Sequence, residues 1–100
     1  MGLYVFSKEA ENDLVGIYRY SFINYGENKA ELYIETLKEK CQFIAAMPNL
    51  CPDRDEFNPP VKIHHHRKHL IIYVIEGDDI LIIRVLHDRM DIQQHIREIV

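Results

Sequence analysis

All four prolines of this 100-residue chain fall between residues 48 and 60, at Pro48, Pro52, Pro59 and Pro60. Proline fixes φ and lacks a backbone N–H, so neither a helix nor a central strand runs through such a stretch. The chain is therefore cut into two blocks, and the apolar period differs between them. Upstream, apolar residues recur every three or four positions, as on a helix. Downstream, they form short continuous runs, as in buried strands. Helices and strands gathered in separate blocks predict an α+β domain.

The elements follow from local chemistry. Leu3-Tyr4-Val5-Phe6 is a short β-prone run. Ser7 is a good N-cap, and Glu9, Glu11 and Asp13 place acid near the first turn, where the helix dipole favours it. Ala10, Leu14, Ile17, Tyr18, Phe22 and Tyr25 then mark one stripe of a first helix, which Gly26 stops. Ala30, Tyr33, Ile34, Leu37, Cys41, Ile44 and Ala45 mark a second helix ending near Met47. The link is short, so the two helices form an antiparallel hairpin. Residues 48–60 read as loop. Val61–His66, Leu70–Ile75 and Ile80–Leu86 read as a three-stranded antiparallel meander, turning at Gly77-Asp78-Asp79. Asp91 caps a short last helix with Gln94 as its capping-box partner, and Ile92, Ile96, Ile99 and Val100 make its apolar stripe. The last two strands are apolar on both faces, whereas the hairpin covers one. The other face calls for the last helix, a partner, or both.

Charge and composition exclude several function classes. Lys and Arg total 12 against 16 Asp and Glu, a net charge of −4. Six basic and ten acidic side chains lie in 1–60, and six of each in 61–100, which also holds all six histidines. Nucleic-acid backbone binding by the whole surface needs the opposite balance, so no direct DNA binding by this chain is expected. No stretch reaches membrane-span length, and no secretory signal is evident at the N-terminus. Gly2 lacks the Ser or Thr at position 6 of a myristoylation signal, because Phe6 stands there. Cys41 and Cys51 make no metal or redox spacing and are expected as reduced thiols in the cytoplasm, Cys41 in the core.

The C-terminal block is the most specific part. His69-Leu70-Ile71-Ile72-Tyr73, then Ile80–Ile83, then Arg84-Val85-Leu86-His87-Asp88-Arg89-Met90-Asp91 resembles the end of the ParE branch of the RelE/ParE toxin superfamily. Ala10, Asp13-Leu14 and Ile17 resemble that branch's first helix. Tyr25-Gly26, Ala30 and Tyr33 resemble its hinge and second helix, and Pro48 follows as it does there. The resemblance spans nearly the whole chain and implies one toxin domain over residues 1–100. It implies the toxin half of a two-gene toxin–antitoxin module of plasmid or genome maintenance. The toxin would inhibit DNA gyrase and would form a hetero-oligomer with a ParD-like antitoxin that silences it. The sister RelE branch instead cuts mRNA on the ribosome.

The resemblance and the residues together nominate sites. Arg84 and His87 are the catalytic candidates if the chain is a nuclease: an imidazole moves protons near neutral pH, and a guanidinium offsets phosphorane-like charge. Against that reading, no Phe, Tyr or Trp follows Tyr73. Leu70, Ile72, Val74, Arg84, His87, Met90 and Asp91 are the candidates for contact with the antitoxin, seated along an apolar groove beside the sheet and hairpin. Arg84, Met90 and Asp91 each have a structural alternative. Arg84, in an apolar strand, needs a carboxylate, with Asp91 or Asp13 the natural choices. Met90 reads as core and Asp91 as a cap. His64, His65 and His66 alternate faces on an edge strand, and no metal or cofactor is expected. Tyr18, Tyr20, Tyr25 and Tyr33 read as hairpin packing.

Overall fold

The computed structural model describes residues 2–97. Chain order is β1 (Tyr4–Phe6), α1 (Lys8–Tyr25), α2 (Glu27–Ala46), β2 (Asp53–Arg54), β3 (Val61–His66), β4 (His69–Glu76), β5 (Asp79–His87) and α3 (Ile92–Arg97). The α+β architecture is as the sequence predicts, and the meander sits inside a larger sheet. That sheet has five strands in the order β1-β5-β4-β3-β2. β1 pairs parallel to β5, and the remaining pairs are antiparallel.

Each boundary has a local cause. The Ser7 hydroxyl accepts the Ala10 N–H at 3.0 Å and donates to the Ile83 carbonyl at 2.6 Å, so one side chain starts α1 and ties it to β5. Gly26, at φ 92°, ends α1 and donates its N–H to Phe22 O. Gly77, at φ 61°, supplies the positive φ that the tight β4–β5 turn needs. The 48–60 segment departs from an unbroken loop. Between Pro52 and Pro59, Asp53 and Arg54 pair with Lys62 and Val61 as β2. The buried Lys62 holds that pairing: its ammonium reaches Asp53 Oδ1 at 3.2 Å and donates to Cys51 O at 2.7 Å.

Two clusters lie on opposite faces of the sheet. On one, Ile71, Tyr73, Ile80, Ile82 and Val85 pack under Ala10, Leu37, Cys41, Ile44 and Ala45 of the hairpin. On the other, Ile72, Ile83, Leu86, Val61 and Phe57 pack under Ile96, with Ile92 at the margin. The last helix therefore covers part of the second face, through Ile96 and Ile92. The Ile99 and Val100 part of its stripe lies outside the described residues. Asp91 Oδ1 accepts Gln94 N–H at 3.4 Å, the cap expected of it. Two expectations fail. Phe22 and Tyr25 are exposed, because buried residues of α1 stop at Ser21 and its last turn has no sheet beneath it. Met90 is 46% exposed rather than core, because it sits in the turn between β5 and α3.

Arg84 finds its carboxylate on α1. Its Nε and a terminal nitrogen donate to Asp13 at 2.7 and 2.9 Å, and Asp13 Oδ2 also accepts the Val85 N–H at 3.0 Å. The register slips here: Ile72 faces Arg84, yet Tyr73 faces Ile82, so Ile83 is the extra residue on β5. Such a bulge re-aims a side chain, here turning Arg84 toward α1. Both partners are largely shielded, at 14% side-chain exposure each. Removing one partner of such a pair strands the other charge, at a cost of about 3–5 kcal/mol. Asp13→Ala should lose stability on that scale. Asp13→Leu with Arg84→Met should be less destabilised than Asp13→Ala alone, as urea denaturation would record; additive losses would contradict the pairing.

Candidate functional site

The functional candidates gather where β3 and β5 end and β4 begins, against α2. Strand alternation brings His66, His69 and His87 to the hairpin side of the sheet: His66 pairs with His69, and His69 with His87, as cross-strand neighbours. Tyr33, on the buried stripe of α2, reaches down to them. Its hydroxyl bonds to His69 Nδ1. The Tyr33 ring lies 5.5 Å from His69 and 6.1 Å from His66, and His69 meets His87 edge-on at 5.4 Å. Thr36, one turn along α2, sits 3.4 Å from His66 Nε2. The Arg67 guanidinium stands over the Tyr33 ring.

Burial sets the charge state of this cluster. Desolvation, aided by the neighbouring His87, pulls the His69 pKa down to about 4. Its ring is therefore neutral at pH 7, and Nδ1 can accept the Tyr33 hydroxyl proton. Desolvation also lowers His66, helped by Arg67 and Lys40, and raises Tyr33. On the other face, His65 Nε2 lies 3.3 Å from Asp88 Oδ2. Asp88 Oδ1 lies 3.3 Å from His87 Nδ1, which also accepts the Arg89 N–H at 3.1 Å.

Sequence reasoning paired Arg84 with His87, and the structure does not bring them together as a catalytic couple. They stand three steps apart along β5, with backbones about 10 Å apart, and Asp13 occupies the guanidinium. Of the contact candidates, Leu70 and Ile72 are buried, Ile72 completely and in the cluster that includes Ile96 of α3. Val74 and His87 are half-buried, and Met90 and Asp91 are exposed. His64 and His66 share one face and His65 takes the other, as alternation requires. His64 Nδ1 lies 3.5 Å from Cys51 Sγ. Cys41 is core, its thiol pushed up to about 12 by burial.

The hairpin carries a set of exposed large apolar residues where sequence reasoning had not placed one. Tyr20, Phe22, Ile23, Tyr25 and Leu32 are all exposed, Ile23 at 74%. Tyr20 and Tyr25 therefore do not pack inside the hairpin, whereas Tyr33 does. The legible signal was Ile23 and Leu32, apolar residues lying off the two buried stripes. A small open cavity of about 340 Å³ lies elsewhere, lined by Asn49, Asp53, Pro60, Lys62, Tyr73, Val74 and Ile75. Its only cation, Lys62, is already committed to Asp53 and Cys51.

A five-stranded sheet with a helical hairpin on one face and exposed apolar residues along that hairpin defines a small α+β protein. Its sequence and fold are similar to those of known proteins. Residues 4–92 match the family described as "ParE toxin of type II toxin-antitoxin system, parDE". Toxin ParE of Escherichia coli is 28% identical over 99 residues, covering 98% of this chain and 96% of that protein. Toxin ParE1 of Mycobacterium tuberculosis is 28% identical over 94 residues, covering 93% and 96%. A chain of the solved structure titled "Chromosomal ParDE TA system from P. aeruginosa" superposes with a TM-score of 0.75 at 20% identity, over 87% of this chain and 96% of that one, a likeness of fold. The chain belongs to the ParE toxin family of type II toxin–antitoxin systems. No described helix is long and apolar enough to cross a membrane.

The histidine cluster makes stability depend on pH in a fixed direction. His69 binds its proton more weakly folded than unfolded, so the unfolded chain takes up protons first as pH falls. Stability is full above the ordinary histidine pKa of about 6.5 and is lost progressively as pH falls toward 4. His66 adds to the same trend. The thermal midpoint should drop between pH 7 and pH 4.5, and His69→Gln should flatten that slope; an equal slope in the variant would contradict the assignment.

Proposed function

We propose that residues 1–100 act as a single toxin domain that binds and inhibits DNA gyrase and is held silent by a ParD-like antitoxin in the cytoplasm. Membership of the ParE family supports the toxin role. The solved neighbour comes from a ParDE system, and that supports a protein antitoxin as partner. The observation that carries binding over cutting is the commitment of Arg84 to Asp13. A nuclease reading needs a free cation beside His87, and the guanidinium the sequence offered is bound 2.7 Å from a carboxylate on α1. The acidic balance of the chain argues the same way, since ribosomal RNA would be met by net repulsion.

The antitoxin contact follows from what is exposed. His87, Met90 and Asp91 lie at and just beyond the end of β5 and remain reachable, whereas half-buried Val74 lies at the opposite end of the sheet, beside the β4–β5 turn, and Arg84 contributes by holding β5 in place. Ile72 packs in the cluster with Ile96 of α3 and meets a partner only if α3 is displaced, and Leu70 is buried. The hairpin surface of Phe22, Ile23 and Leu32 offers the apolar area that a partner helix needs. An exposed patch of this kind should make the chain poorly soluble until the antitoxin covers it.

Inducible expression without antitoxin tests the reading. Growth should arrest, co-expression of the antitoxin should restore it, and His87→Ala should still arrest growth with cellular mRNA intact. Loss of toxicity in His87→Ala, together with mRNA cleavage by the parent chain, would establish the nuclease instead.

A further inference from the structure

The two edges of the sheet are built differently. The β2 edge is two residues long and is flanked by Pro52, Pro59 and Pro60, which cannot donate to a further strand. The β1 edge has no such protection. Leu3-Tyr4-Val5-Phe6 holds no charge and no proline, and Leu3 and Val5 are 63% and 54% exposed.

Hydrogen bonding fixes what that edge offers. Leu3 O accepts the Ile80 N–H at 3.0 Å, and the Ser7 N–H donates to Ile82 O at 2.9 Å. Alternate residues of a parallel strand face its neighbour, so Leu3, Val5 and Ser7 face β5. The N–H and C=O groups of Tyr4 and Phe6 then point away from the sheet. Among the described residues no hydrogen bond reaches them.

We propose that two copies of this chain join edge to edge along β1, antiparallel, about a twofold axis at Val5. This register is the one the free groups select. Tyr4 faces Phe6 of the second copy, and each such pair exchanges both backbone bonds, four in all. Val5 faces Val5 as the non-hydrogen-bonded pair, where side chains come closest. The same patch serves both copies, as a closed twofold contact requires. Charge fits the register as well. Lys8, exposed at the start of α1, comes to the Gly2 end of the other copy. There Gly2 lies against the Asp78 backbone, and Asp79 Oδ1 holds the Leu3 N–H at 2.9 Å. Gly2 presents no side chain, so the ammonium can approach Asp78 and Asp79 across it, twice by symmetry. The sheet then runs through both copies, leaving the proline-guarded β2 edges outermost.

Sedimentation equilibrium of the purified chain over a dilution series tests this. The mass should rise from one chain toward two with concentration. Val5→Lys, which sets two ammonium groups face to face from an exposed position, should remain a single chain while keeping the parent circular dichroism. Val5→Cys in a Cys51→Ser background should form a covalent dimer on mild oxidation, because the facing Cα atoms sit about 4.5 Å apart. Ile23→Cys in that background, at the hairpin surface, should crosslink far less. One chain at every concentration would overturn the proposal. So would a dimer that survives Val5→Lys, or a Val5→Cys chain that crosslinks no better than Ile23→Cys.

Discussion

One carboxylate joins the helical half of this chain to its sheet. Asp13 accepts two bonds from Arg84 and a third from the Val85 N–H. Its partners stand more than 70 residues away in sequence, beyond the proline segment. The bulge at Ile83 makes the contact possible by turning Arg84 to the hairpin side, and Asp13 in turn satisfies the N–H beside the bulge. Helix position, strand irregularity and ion pair therefore depend on one another. Few groups of this kind lie so far from water without close pairing, because an unpaired buried charge is expensive.

What the clamp holds in place is a set of surfaces. The hairpin covers one sheet face through Leu37, Cys41 and Ile44, and α3 covers part of the other through Ile96. Tyr33 then reaches the strand ends, where burial keeps His69 neutral and bonded. A neutral, desolvated imidazole locked to a tyrosine makes a better joint than a proton carrier at pH 7. The outward-facing part of the hairpin, with Ile23 and Leu32, is left bare. The proposed function by contact rests on this division between a tied interior and exposed apolar residues on the hairpin.

Much of the fold was legible in the sequence because its causes are local. Ser7, Gly26 and the four prolines set boundaries by their own backbone chemistry, and each boundary falls where they put it. The alternation of His64, His65 and His66 followed from strand geometry alone. The failures share the opposite cause. Phe22 and Tyr25 continue the buried stripe of α1, but how far the sheet extends beneath a helix is a property of the sheet. Met90 reads as core by its residue type, but the turn after β5 carries it outward. β2 depends on Lys62 meeting Asp53 across a loop. For the candidate site, Arg84 was correctly seen to need a carboxylate. The choice between Asp13 and Asp91 rested on a bulge that no periodicity reveals. Tyr33 was counted with the packing tyrosines, and its bond to His69 came from the register of three strands.

On the proposed reading the chain acts as a stoichiometric protein ligand and Arg84 serves the scaffold. A titration of purified DNA gyrase with the purified chain, reading plasmid supercoiling beside ribosome-dependent mRNA cleavage in the same preparation, tests it most directly. The account predicts that supercoiling falls in proportion to the chain added and levels off near molar equivalence, with mRNA intact. Cut mRNA at substoichiometric chain, with supercoiling untouched, would contradict it.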